Sequence, residues 1–186
     1  MSTIFEQFKR RSSELPYRNG VGVVAINSEG KVFVGETRGF IDIWKMPQGG
    51  VEQGENLEDA GYRELFEETD LIGEEILKTS QKDYSYDFPA TGRNYMPGFQ
   101  GQKFTWLMIR VDETDEVNLI SNTPINEDIE FSKHKWVSPQ EAIELAHNEY
   151  SGDPVTYQRQ QMYKQVFAEF GCLDMNQSQK PEISAP

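Results

Sequence analysis

The chain holds a single cysteine, Cys172, and only two histidines, His134 and His147. One cysteine excludes an internal disulfide, and so little sulfur and imidazole provides no zinc-ligand spacing. Cys172 reads as a helix-end residue rather than a nucleophile. The histidines lack ligand-like neighbours and read as surface residues. Basic residues are scarce too. Eighteen Lys and Arg stand against 31 Asp and Glu, for a formal net charge of −13. Tight nonspecific binding to nucleic acid needs many phosphates neutralised by Lys and Arg, so no stable DNA binding is expected. Chemistry at one terminal phosphate group needs only a local basic pocket and stays open. The densest basic stretch, Lys9 to Arg11, reads as a solvated helix face. No apolar run approaches the ~20 residues that span a bilayer. Met1 to Ser13 also lacks the apolar block of a signal peptide, so a cytoplasmic protein without membrane contact is expected.

What is present suits one globular domain. The 186 residues are 37% hydrophobic and 12% aromatic, enough for a substantial core. An arm or short helix is expected over 1–15, the domain over 16–171, and a disordered tail over 172–186, polar and Pro-bearing from Asp174. Strands are expected over 22–26 and 31–37 around a turn at Asn27 to Gly30, then at 44–47, 75–80, 84–88 and 102–111. The run Lys103 to Ile109 is the most strand-like and is expected to be central. Residues 39–42 and 90–100 read as loops. Ser138-Pro139-Gln140-Glu141 is a capping box with Pro at the first helical position, opening a helix to about His147. A last helix covers 155–170 and stops at Gly171. Helices around a mixed sheet imply a sheet sandwiched between helices.

The most informative stretch is Gly49 to Leu71. Asn56 is a good N-cap, and Glu58 and Asp59 follow in the first turn, where carboxylates favour the helix dipole. The spacing predicts a helix over 57–69. Tyr62, Leu65, Phe66 and Thr69 are expected to face the core. Leu57, Ala60 and Gly61 are expected on the side of Glu64 and Glu68. Glu64, Glu67 and Glu68 occupy positions i, i+3 and i+4, so a helix places them on one face. Crowded carboxylates repel one another unless a cation sits among them. Hard oxygen ligands suit Mg²⁺ or Mn²⁺, and Mg²⁺ usually works beside substrate phosphates. A solvated acidic face is the plain alternative. The glycine loop Pro47-Gln48-Gly49-Gly50, the adjoining Arg63 and the apolar opposite face argue for the metal.

These residues resemble the Nudix box, the signature of Nudix hydrolases: Gly49, five residues, Glu55, seven residues, then Arg63-Glu64-Leu65-Phe66-Glu67-Glu68-Thr69-Asp70-Leu71. The pattern spans 23 residues. One position departs, with Asp70 where the family has Gly. That Gly commonly ends the helix at positive φ. Asp can also adopt this conformation, at a cost of about 1 kcal/mol. The resemblance continues through Tyr17 to Gly22, Trp44 to Gly50, Tyr86 to Pro89, Gly101 to Lys103 with Trp106, Glu130-Phe131 and Trp136-Val137. It is a resemblance to bacterial RNA pyrophosphohydrolases and the related dinucleoside polyphosphate hydrolases. Here Asn19-Gly20 replaces the Pro-Asn of the first motif, and Lys45 replaces the Gln of Trp-Gln-x-Pro-Gln-Gly-Gly.

The resemblance implies the α/β Nudix fold, an α/β/α sandwich with a mixed sheet and a loop-helix-loop box. It implies metal-dependent hydrolysis of a nucleotide polyphosphate chain. An RNA 5′-end pyrophosphohydrolase is the first expectation and a dinucleoside polyphosphate hydrolase the rival. A non-catalytic nucleotide sensor is disfavoured, because such modules generally lose box glutamates. Glu64, Glu67 and Glu68 are the expected metal-holding and catalytic residues. By resemblance Glu130 joins them, although Glu127 and Asp128 beside it allow an ordinary exposed loop acid. Glu55 and Arg63, with Gly49 and Gly50, are expected to hold loop against helix through a charge-assisted bond. The expected substrate-facing set is Arg18, Arg38, Lys45, Gln48, Lys103 and Tyr86. Arg18 leads it because a guanidinium grips phosphate bidentately. Tyr84, Tyr86, Tyr95 and Phe99 could stack on a base, with packing the plainer role for each.

Overall fold

The computed structural model describes residues 15–88, 96–112, 117–119, 130–148 and 154–173. The expectations for the N-terminal arm, Lys9 to Arg11, Tyr95, Glu127, Asp128 and the chain from Asp174 lie outside them. Among the described residues, eight strands form one mixed sheet: β1 (Tyr17–Ile26), β2 (Val32–Thr37), β3 (Trp44–Lys45), β4 (Gln48–Gly50), β5 (Gly73–Thr79), β6 (Tyr84–Asp87), β7 (Gly101–Val111) and β8 (Phe131–Val137). The helices are α1 (Leu57–Thr69), α2 (Pro139–Leu145) and α3 (Pro154–Glu169).

Strands β1 and β7 are the spine. They run parallel in register from Tyr17↔Gly101 to Ile26↔Arg110, while the other pairings are antiparallel. Alternate side chains of a strand point to opposite faces. Val21, Val23 and Ala25 of β1 and Leu107 and Ile109 of β7 form one core with Ala60 and Leu65 of α1. Val24 of β1 and Phe104, Trp106 and Met108 of β7 form the other, with Ile143 of α2 and Tyr163 and Phe167 of α3. The sheet is thus covered on both faces, as an α/β/α sandwich requires. Each such large apolar side chain contributes roughly 1.5–3 kcal/mol when fully buried.

Helix α1 has the expected limits, and Leu65, Thr69 and Tyr62 lie on the core side as expected; Ala60 and Gly61 join them there and Phe66 does not. Ala60 and Gly61 face the sheet, and a Cβ on Gly61 would lie 2.4 Å from Leu107 Cδ1. Phe66, expected inside, is 41% exposed. The small residues let α1 lie close to β7, and that approach turns Phe66 outward. Strand β8 was not expected at all. It pairs with β2 from Val32↔Val137 to Thr37↔Phe131.

Candidate active site

Each end of α1 is fixed locally. Asn56 Oδ1 accepts the Asp59 N–H at 2.8 Å, closing the first turn. Asp70 ends the helix at φ 64°, its N–H donating to Phe66 O. This is the left-handed conformation for which the sequence pattern favours Gly. Between these ends, Arg63 ties the loop to the helix. Its Nε and Nη2 donate to the two Glu55 oxygens, both at 2.8 Å, and Nη2 also reaches Gly50 O at 2.8 Å. Its Nη1 donates to Glu64 at 2.9 Å and Glu67 at 3.1 Å. The guanidinium, with help from the Glu52 N–H, pulls the Glu55 carboxyl down to about 2. Arg63 is itself raised further above its usual range, chiefly by Glu55.

The box glutamates do not share one environment. Glu64 is 9% exposed and its carboxylate rests on the backbone of β4, where a Cβ on Gly49 would come within 2.0 Å of its carboxyl carbon. Burial raises the Glu64 pKa, and Arg63 opposes the rise. Glu68 turns toward the same strand and accepts the Gln48 N–H at 3.3 Å. Burial pushes Glu68 well up, Lys45 opposes this, and the charges of Glu130 and Glu64 add to it. Glu67 sits further out, paired with Arg63. Among the described residues, the buried Gln48 side-chain oxygen has no hydrogen-bond partner.

Glu130 enters from the far end of the chain. The Arg38 N–H binds its backbone oxygen at 2.9 Å, and Lys45 Nζ ion-pairs with its carboxylate. Its charge is felt at Glu68, so Glu64, Glu68 and Glu130 belong to one neighbourhood. Lys45 is held on β3 between buried Trp44 and Met46, and Tyr163 of α3 accepts the Met46 N–H at 2.8 Å. Among the described residues, no three acidic, histidine or cysteine side chains already form a closed cation cage. Arg63 and Lys45 engage the acids instead.

The donor set nevertheless fits a hard divalent cation. It is all oxygen, it is partly desolvated, and two of its carboxylates are held near other negative charge. The carboxylates available to hold such an ion are Glu64, Glu67, Glu68 and Glu130.

The expected substrate-facing residues divide. Arg18 lies over β4, where a Cβ on Gly50 would be 2.2 Å from its Nη2, and its charge reaches Glu64. Lys45 and Gln48 are at the site. Arg38 is exposed beside Glu130. The Lys103 side chain is 41% exposed and paired with Asp83 at 3.1 Å. Tyr86 is a correction: it is 6% exposed, packed against Phe88 and Phe104, and its hydroxyl donates to Gln102. With its ring enclosed in the core, it offers no face to a base. Tyr84 is likewise buried, its hydroxyl on Glu169. His134 stacks on Phe33, and His147 Nδ1 meets Thr156 Oγ1 at 3.2 Å. Buried Cys172 follows α3. The seat of Glu64 on Gly49 and the bond from Met46 to Tyr163 were not anticipated. The glycine pair before the helix was the only local signal for the first, and nothing local signals the second.

Comparison with known proteins places this geometry. Residues 16–160 match the NUDIX domain. The chain is 37% identical over 166 residues to an RNA pyrophosphohydrolase of Novosphingobium aromaticivorans, covering 86% of this chain and 95% of that protein. It is 36% identical over 165 residues to Nudix hydrolase 25 of Arabidopsis thaliana, covering 84% and 87%. Among solved structures, the E. coli dihydroneopterin triphosphate pyrophosphohydrolase superposes with a TM-score of 0.54 at 20% identity, covering 81% of this chain and 96% of that one. The last likeness establishes the fold alone.

Proposed function

The chain belongs to the NUDIX family, and from that premise we propose that it hydrolyses 5′-triphosphorylated or 5′-diphosphorylated RNA with water, leaving a 5′-monophosphate and releasing pyrophosphate (or two phosphates) from the first and one phosphate from the second. It is an enzyme of phosphoanhydride hydrolysis that depends on a divalent metal. Mg²⁺ is the ion we assign, with Mn²⁺ able to replace it. The observation that carries the RNA reading is the 37% identity with an RNA pyrophosphohydrolase across nearly that protein's whole length. The convergence of Glu64, Glu68 and Glu130 supplies the chemistry to go with it.

A bound divalent cation would supply positive charge at the phosphate oxygens, where polyphosphates otherwise repel an attacking water. The chain's own residues do the rest. Glu64, Glu67, Glu68 and Glu130 provide the carboxylates. Arg63 fixes Glu64 and Glu67 and braces the loop through Glu55 and Gly50. Arg18, set over Gly50, presents a guanidinium toward the phosphate chain. Its charge reaches Glu64, which sets a phosphate-binding group beside the acids that would hold the metal. Lys45 is the second cation at hand, and Arg38 stands at the rim.

No helix among the described residues is long and apolar enough to cross a membrane. The RNA reading alone carries our assignment of its work to the cytoplasm, at single RNA ends rather than along DNA. The test is a hydrolysis panel with Mg²⁺. Turnover of triphosphorylated RNA should match or exceed that of diadenosine tetraphosphate. RNA turnover far below dinucleotide turnover would transfer the assignment to the dinucleoside polyphosphate hydrolases.

A further inference from the structure

Lys45 stands where the surrounding acids have most use for a cation. Its ammonium pairs with Glu130, and it is the largest favourable electrostatic influence on Glu68. The Phe131 ring lies 5.7 Å away, and the Lys45 side chain is only 12% exposed. The motif that this stretch resembles has neutral Gln at the position. The backbone beneath Lys45 cannot retreat: Trp44 and Met46 are buried on either side, and the Met46 N–H is anchored on Tyr163. The side chain can swing on its stem, but its charge stays beside Glu68 and Glu130.

We propose that Lys45 is a tethered counter-ion for Glu68 and Glu130, competing with divalent metal for these two carboxylates and lowering the metal affinity of that end of the site. This rests on the reading of the box acids and Glu130 as the metal-holding set. A single charge satisfies the acids before metal arrives. Afterwards, two like charges sit close together in a partly desolvated pocket, where electrostatic interactions are strong. A purely structural Lys45–Glu130 pair would affect stability and leave metal affinity unchanged.

The experiment is Mn²⁺ titration of the full chain without substrate, with free ion read by electron paramagnetic resonance and folding checked by circular dichroism. Lys45→Gln should bind Mn²⁺ on the order of tenfold more tightly than wild type at its weakest site. Lys45→Arg should behave like wild type. The gain from Lys45→Gln should shrink when Glu130→Gln is also present. Should Gln at this position fail to fold, Lys45→Met, which keeps an apolar stem, is read the same way. Equal or weaker Mn²⁺ binding by the folded neutral variant would overturn the inference while leaving the hydrolase reading intact. Mn²⁺ binding by none of the proteins would overturn both.

Discussion

Glu55 and Asp70 show how single residues set the geometry of the box. Glu55 is held near 2 by Arg63, below its ordinary value of 4.5. A carboxylate with a depressed folded pKa stabilises the fold above its unfolded pKa, and that contribution disappears as pH falls through the folded value. Glu55→Gln should therefore lower the unfolding midpoint at neutral pH. The gap from wild type should narrow from about pH 4.5 downward and close near pH 2. Denaturant melts across that range check it; a constant gap would remove the charge from the explanation. Asp70 holds φ 64° without being glycine. Asp70→Gly should relieve up to about 1 kcal/mol of backbone strain, partly offset by the freer unfolded chain. Urea unfolding should show a net gain in stability.

Elements explain both what could be read from sequence and what could not. The limits of α1 were legible because Asn56, the first-turn acids and the Asp70 stop act within one or two turns. The outward turn of Phe66 was not, because the closeness of Gly61 to Leu107 is decided by the partner strand. Strand β8 was hidden for a related reason. Ser132 to Lys135 are exposed, so neither face of that stretch carries an apolar alternation. Strand β1 begins earlier than expected because Arg18, Asn19 and Gly20 do not look like strand, yet β7 pairs with all three. In the site, the adjacency of Glu64, Glu67 and Glu68 was legible from helical spacing. The Lys45–Glu130 pair spans 85 positions and exists only through the sheet. Element geometry also makes a prediction. Strand β4 and helix α1 meet so closely at Gly49 that Ala there must displace the Glu64 carboxylate. Gly49→Ala should stay folded and lose on the order of a hundredfold in kcat, since a displacement of about 1 Å can cost that much. Wild-type turnover by this variant would contradict the seat assigned to Glu64.

At the scale of the whole molecule, the sandwich brings three distant segments together. Helix α1 supplies Glu64 and Glu68, β3 supplies Lys45, and the start of β8 brings Glu130. A net charge of −13 disfavours coating a nucleic-acid backbone, and the proposed grip of Arg18 on one phosphate terminus needs no such coat. Hydrolysis should accordingly depend less steeply on salt than binding by a protein that covers many phosphates. Rates on triphosphorylated RNA from 50 to 200 mM salt should fall by less than the roughly thousandfold typical of such proteins.

The most direct test of the central claim is the rate of phosphate or pyrophosphate release from 5′-triphosphorylated RNA against Mg²⁺ concentration, for wild type and Glu68→Gln. Wild type should show turnover that saturates with Mg²⁺ and vanishes on chelation. Glu68→Gln should lose on the order of a hundredfold or more while still binding RNA. Turnover that survives chelation, or equal rates for the two proteins, would contradict the claim that these carboxylates hold the ion that makes the phosphate chain reactive.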